Sequence, residues 1–352
     1  MIVKEKEIFN LDSEEKYQDA KVMFGNPNGI INFERTPHKW AFSLFKKMCE
    51  RTWFPGHVNI SKDKVDYTKL SPEQKRSYDL VLAQLITNDS IQTNQLADKI
   101  NCFITSPVVN ACIGRQISDE TVHSHSYSIM AEEICQDTDR IFDMHNRDEE
   151  LMIKNKSVQN MYLHLYKEND EYEPEDLLLA CVANQILEEL VFPGGFAVML
   201  SYGELMRGSQ EMIKEIMKDE TLSHVALFKN IYRSAIKESF NGVVPDIVKE
   251  KALKMILDME QAEVRWTKYA SKGLSGFSDE VIEVFLKSRV NNICDNLLLD
   301  KPYPEIKSST NNPLGKLLRT NLPNEEMGSK ANFLEGVNSI DYTQGGLNLG
   351  DF

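Results

Sequence analysis

Polar and apolar residues recur along most of this chain at helical spacing, and recognisable start signals divide the helical stretches. Ser71-Pro72-Glu73-Gln74 is one such start. Ser serves as N-cap, Pro takes the first helical position, and Gln three residues on closes a capping box. The helix it opens runs through SYDLVLAQLITNDSIQTNQLADKI to about Asn101. At 1.5 Å per residue that is roughly 45 Å, far above the average length. Ser106-Pro107 opens a second, expected to run past Tyr127 to about Phe142. Glu173-Pro174-Glu175-Asp176 opens a third, and Gly208-Ser209 a fourth that continues to about Lys237. Pro245-Asp246 opens a fifth, ended near Gly273, and Ser278-Asp279-Glu280 a sixth, ended near Leu299. Strand signals are nearly absent. Long helices with short connections predict a mostly α bundle over residues 36–300. Residues 1–35 are polar, with MFGNPNG in their midst, and are expected to wrap it. Residues 301–352 hold SSTNNP and few apolar runs, so their last stretch reads as a mobile tail.

Acids and histidines interrupt the apolar faces of four of these helices. The first carries Asp89 in LITNDSIQ, and the second Glu120 and His123 in ISDETVHSHSY. The third carries Glu188 in ANQILEEL, and the fourth Glu220 and His224 in IMKDETLSH. Glu120 and His123 are i,i+3 and Glu220 and His224 are i,i+4, so each pair shares a helix face. Asp89 and Glu188 lie well inside their helices, so neither is a cap. Any one of these residues alone reads best as a surface acid on an amphipathic helix. The full set on four successive helices does not, because buried carboxylates need counter-charge. No Lys or Arg on the same faces balances all four. Two divalent cations would, leaving the cavity neutral, and the carboxylate–imidazole donor set suits iron or manganese. The pattern is that of a ferritin-like dimetal bundle.

Composition narrows the picture. A net charge of -14 on 352 residues argues against a nucleic-acid surface. No run of about 18 uncharged apolar residues is expected to cross a membrane. The N-terminal MIVKEKEIFNLDSEEK lacks the apolar core of a secretion signal. Cys49, Cys102, Cys112, Cys135, Cys181 and Cys294 form no CxxC pair, and read as reduced thiols of a cytoplasmic protein. No GxxxxGK[ST] phosphate loop occurs.

Together, NDSIQ, ETVHSHSY, ILEELVF and KDETLSH, spread over nearly the whole chain, resemble the radical-generating small subunit of class I ribonucleotide reductase. The resemblance makes Asp89, Glu120, His123, Glu188, Glu220 and His224 the ligands of two metal ions. It makes Tyr127, one turn after His123, the site of a stable radical. Trp53 in RTWFPGHV, with Asp219 and His123, becomes the path for an electron and a proton between surface and metals. Tyr342 becomes the tail residue that passes the radical on to the large subunit, which the tail GGLNLGDF docks. Phe192, Phe196 and Ile216 match the apolar shell around the radical. The implied activity is ribonucleoside-diphosphate reduction, with a homodimer of small subunits and the large subunit as partner. Iron is the first expectation for the metals. A manganese/iron or manganese pair stays open, since Gln116 and His125 resemble the mixed-metal subgroup while Tyr127 does not. Rival readings are a ligand-binding dimetal oxidase and a metal-storing ferritin-like protein.

Two departures stand out. The last ligand pair is spaced Glu220-x-x-x-His224, with Ser223 where the family usually has His, and a local π-bulge or a shift of the helix would restore the geometry. Pro193-Gly194-Gly195 sits inside the third helix, where Pro193 cannot donate to the Glu189 carbonyl.

Overall fold

The computed structural model describes residues 2–167, 171–306 and 311–322. The helices are α1 (Lys39–Glu50), α2 (Asp63–Lys69), α3 (Pro72–Gln95), α4 (Pro107–Ile134), α5 (Thr138–Arg147), α6 (Glu149–Tyr162) and α7 (Pro174–Ile186). They continue as α8 (Phe192–Met199), α9 (Arg207–Asp219), α10 (Val225–Ser239), α11 (Asp246–Ala270), α12 (Asp279–Asn296) and α13 (Pro313–Thr320). Among the described residues the only extended pairings are two isolated bridges, Val3 with Tyr172 and Met23 with Ile104.

α3 starts as its sequence requires. The Gln74 amide N–H donates to Ser71 Oγ at 3.2 Å, and Gln74 Oε1 accepts the Ser71 N–H at 2.9 Å. α3 then runs through the centre of the molecule against α4, α5, α6 and α8. The expected second helix ends early, which corrects the reading to Phe142. Cys135 turns extended, and the Asp137 carboxylate accepts the Arg140 N–H, capping a separate α5. Asp148 caps α6 in the same way. The C-terminal segment contributes α13, whose Leu314 and Leu318 are buried where it packs on α8 and α12.

Three helices widen into single π turns: Leu96–Ile100 after α3, Leu187–Val191 between α7 and α8, and Glu220–His224 between α9 and α10. The continuous run Pro174–Met199, which carries Glu188 and Glu189, is by length and composition apolar enough to cross a membrane, but its apolar window is entirely buried. It is the core helix of the bundle. Gly194 on this run lets α11 approach closely, since a Cβ there would stand 2.8 Å from Glu263 Oε1. Each fully buried large apolar side chain contributes about 1.5–3 kcal/mol. Leu82, Leu85, Leu187, Leu190 and Phe228 are among the many such residues.

Residues 2–35 contain only a short 3₁₀ turn and lie against the α3–α4 connection. Val3 N–H donates to Tyr172 O at 2.7 Å, Lys6 N–H to Cys102 O at 2.9 Å, and Thr105 N–H to Val22 O at 2.9 Å. His38 links Ser106 Oγ (2.9 Å) to Glu238 (2.8 Å), and the half-buried Glu238 in turn accepts the Val22 N–H, so one cluster pins four segments.

Candidate metal centre

Four helical runs deliver six side chains to one buried point. α3 brings Asp89 and α4 brings Glu120 and His123; the π turn after α7 brings Glu188, and that after α9 brings Glu220 and His224. All six are buried. They form two overlapping sets of four whose ligand atoms lie within 4.8 Å of one another. One set is Asp89, Glu120, His123 and Glu220, and the other Glu120, Glu188, Glu220 and His224, so Glu120 and Glu220 belong to both.

The spacing question at His224 has a structural answer. A π turn closes its hydrogen bonds i→i+5 rather than i→i+4, so it needs one more residue to come round. Glu220 and His224 are the first and last residues of such a turn, and His224 Nδ1 lies 2.8 Å from Glu220 Oε2. His123, on a regular α turn, sets Nδ1 3.4 Å from Glu120 Oε2 and 3.0 Å from Glu220 Oε1. The Ser223 hydroxyl instead accepts from Arg51 at 3.4 Å.

The cluster fits cations. Both Asp89 oxygens, Glu120 Oε2, Glu188 Oε2, Glu220 Oε1 and His123 Nδ1 are buried without a hydrogen-bond partner. Such orphaned donor atoms are costly unless something positive completes them. Burial, then the Glu120 carboxylate, pushes the Asp89 carboxyl well above its usual range. Burial and Glu220 do the same to Glu188. Burial opposes the Glu220 charge too, but His224 and His123 outweigh it and hold this carboxyl below its usual range. The imidazoles lose by burial and gain more from the surrounding carboxylates, so both rise well above the usual histidine range.

Around this cluster lie groups that the sequence reading used and groups it missed. Tyr127 is fully buried, its hydroxyl has no hydrogen-bond partner, and burial together with Asp89 and Glu220 keeps the phenol protonated. Phe192, Phe196 and Ile216 are buried, and the two phenylalanine rings stack at 5.9 Å. Trp53 Nε1 donates to Asp219 Oδ2 at 2.8 Å, and that oxygen lies 3.2 Å from His123 Nε2. The Trp53 ring also stacks on His123 at 6.3 Å. Tyr342 lies outside the described residues. Missed were Gln92, which donates to Glu188 Oε1 at 2.6 Å, and Tyr162, which donates to Gln92 Oε1 at 3.2 Å. Gln116 donates to both Glu120 Oε1 (3.1 Å) and Glu188 Oε1 (3.0 Å). Gln116 was already singled out in the sequence, and for Gln92 its i,i+3 spacing from Asp89 was the available signal.

A long-helix bundle that buries two carboxylate–imidazole sets with two shared glutamates defines the ferritin-like dimetal class. Residues 30–313 match the family described as ribonucleotide reductase, small chain, and the chain belongs to that family. The ribonucleoside-diphosphate reductase subunit beta of Treponema pallidum (strain Nichols) is 29% identical over 311 residues, 86% of each chain. The ribonucleotide reductase R2 subunit from Clostridium botulinum superposes with a TM-score of 0.84 at 25% identity, covering 92% of this chain and 100% of that one. The dimanganese(II)-NrdF of Streptococcus sanguinis shares the fold, with a TM-score of 0.71 at 22% identity over 84% of this chain and 99% of that one. Family membership makes this chain the small chain of a ribonucleotide reductase, an oxidoreductase that works together with a large subunit.

Proposed function

We propose that Asp89, Glu120, His123, Glu188, Glu220 and His224 hold two metal ions, with Glu120 and Glu220 shared, and that Tyr127 carries the radical. The observation that carries this reading is the set of buried, unpartnered ligand atoms centred on those two shared glutamates. A bound pair of redox-active ions supplies the oxidising equivalent, drawn from oxygen. The chain's own residues do the rest. Tyr127 offers a protonated phenol with no hydrogen-bonding side chain, walled off from water and reductants. When it gives up an electron its phenolic proton must leave toward the surrounding carboxylates, of which Asp89 and Glu220 act on it most strongly.

Trp53, Asp219 and His123 form an unbroken hydrogen-bonded line from the loop before Pro55 to the cluster. We assign this line to transfer of an electron and a proton between the surface and the site. Tyr342 continues it in the tail, and the tail docks the large subunit. We further propose a homodimer, working in the cytoplasm, where six unpaired cysteines suit a reducing compartment. Iron is the proposed metal, with manganese/iron and manganese pairs as the alternatives that share this donor set.

Low-temperature EPR tests the reading. Protein loaded with iron or manganese and exposed to oxygen, or to an oxidant delivered by a flavoprotein, is expected to show a tyrosyl signal. Tyr127→Phe is expected to lose that signal while binding the same number of ions. Absence of any radical or oxidised-metal signal under every loading would sink the proposal.

A further inference from the structure

The tripeptide Asp-Glu-Thr occurs twice, at 119–121 on α4 and at 219–221 where α9 passes into its π turn. The two copies meet at the site and serve each other. Asp219 of the second copy sets Oδ2 3.2 Å from Nε2 of His123, which follows the first. Asp119 of the first copy sets Oδ2 3.6 Å from Nε2 of His224, which follows the second. Both histidines turn Nδ1 inward, to within 3.0 Å and 2.8 Å of Glu220.

One half of this arrangement is closed and the other stands open. Asp119 Oδ2 and His224 Nε2 are both buried, and neither has a hydrogen-bond partner. A donor and an acceptor face each other, and closing by about half an ångström would make an ordinary N–H···O bond. The other Asp119 oxygen is fixed by an ion pair with Arg115, one turn earlier on α4.

We propose that Asp119 is the positioning residue of the second metal position. It takes the Nε2–H of His224, leaves Nδ1 as the ligand atom, and is anchored by Arg115. This rests on the reading of His224 as a metal ligand. A carboxylate behind a ligating imidazole fixes tautomer and ring orientation and raises ligand basicity. The two aspartates also differ in what lies beyond them. Asp219 leads to the indole of Trp53, an oxidisable ring. Asp119 leads to a guanidinium, which neither loses its proton nor accepts one. The Asp119 arm therefore orients its histidine without opening a second electron path out of the site.

Stepwise anaerobic titration of the full chain with Mn(II), followed by calorimetry, tests this. Wild type is expected to bind two ions. Asp119→Leu is expected to weaken one step by about 10–100-fold and leave the other unchanged. Asp119→Asn keeps a carbonyl acceptor without the charge, and is expected to fall between the two. A second readout is independent of affinity. In zinc-loaded protein with ¹⁵N-labelled histidine, the His224 Nε2–H should exchange slowly in wild type and rapidly in Asp119→Leu, which a merely structural role would not produce. If both Asp119 variants leave both steps and the proton exchange unchanged, the proposal is overturned. His224→Ala separates the two levels. Loss of one step there, with no effect of the Asp119 variants, overturns only the role of Asp119. Retention of both steps overturns the ligand assignment beneath it. Should Asp119→Leu fail to fold, Asp119→Asn decides on the same readouts.

Discussion

Trp53 is nearly buried, yet its indole N–H is spent on a carboxylate rather than on a backbone carbonyl. That choice ties an aromatic ring to His123 through one shared oxygen of Asp219. Phenylalanine at position 53 would keep most of the apolar contact and remove the donor. Trp53→Phe is expected to fold and to load metal normally, and to lose turnover with the large subunit. Metal analysis beside a ribonucleotide-reduction assay checks both halves, and wild-type turnover in this variant would remove Trp53 from the path. At this scale the sequence was informative wherever acid and histidine came as a pair. Glu120 with His123 and Glu220 with His224 announce a shared helix face. Gln92, Asp119 and Arg289 did not, because one inward-facing polar residue in a helix looks the same on paper as one facing water. Only the fold shows that Gln92 meets Glu188 and that Asp119 faces His224.

The π turns are the means by which whole elements aim their ligands. Pro193 has no N–H, so the Glu189 carbonyl loses its ordinary helical partner. Arg289 on α12 takes that carbonyl with Nε at 2.7 Å and the Glu189 carboxylate with its terminal nitrogen at 3.0 Å. Asn292, one turn away, adds a weaker contact to the same carboxylate at 3.3 Å. All three residues are buried, so α12 clamps the turn from one side while the neighbouring Glu188 joins the buried acid–histidine cluster. Removing the guanidinium would leave the Glu189 charge buried and unpaired, a loss of roughly 3–5 kcal/mol. Arg289→Met is expected to lower the urea midpoint accordingly, and Arg289→Met with Glu189→Gln to recover part of the loss. Equal midpoints for wild type and Arg289→Met would show that the pair holds nothing together. Five of the long helices were legible at their starts because Ser71, Pro107, Pro174, Pro245 and Ser278 are start signals with a physical reason. The break at Cys135–Asp137 was not, because an Asp that caps and an Asp on a helix surface are the same letter. The π turn at Glu220–His224 was anticipated only because a spacing was one residue too long for an α turn.

Across the whole molecule, a large apolar core tolerates a centre that is unfavourable on its own terms. Asp89 is the sharpest case: it is fully buried, neither oxygen has a partner, and Glu120 and Glu220 add to the repulsion. Stability and metal binding are therefore linked. Ions that bind only the folded chain stabilise it by about 2.7 kcal/mol per site at a hundred times the dissociation constant. Asp89→Asn should divide the two properties. It replaces a buried carboxyl that has no hydrogen-bond partner and sits among other carboxylates by a neutral amide, so the metal-free protein is expected to gain roughly 0.5–2 kcal/mol, as functional sites do when their strain is relieved. It also removes an anionic ligand, so the gain on adding metal is expected to shrink. Urea unfolding of both proteins, with chelator and with saturating Mn(II), gives the four midpoints required. A wild-type midpoint that does not move with metal would mean that the buried acids are satisfied in some other way. An Asp89→Asn protein less stable than wild type without metal would mean that Asp89 is already paired in the metal-free fold.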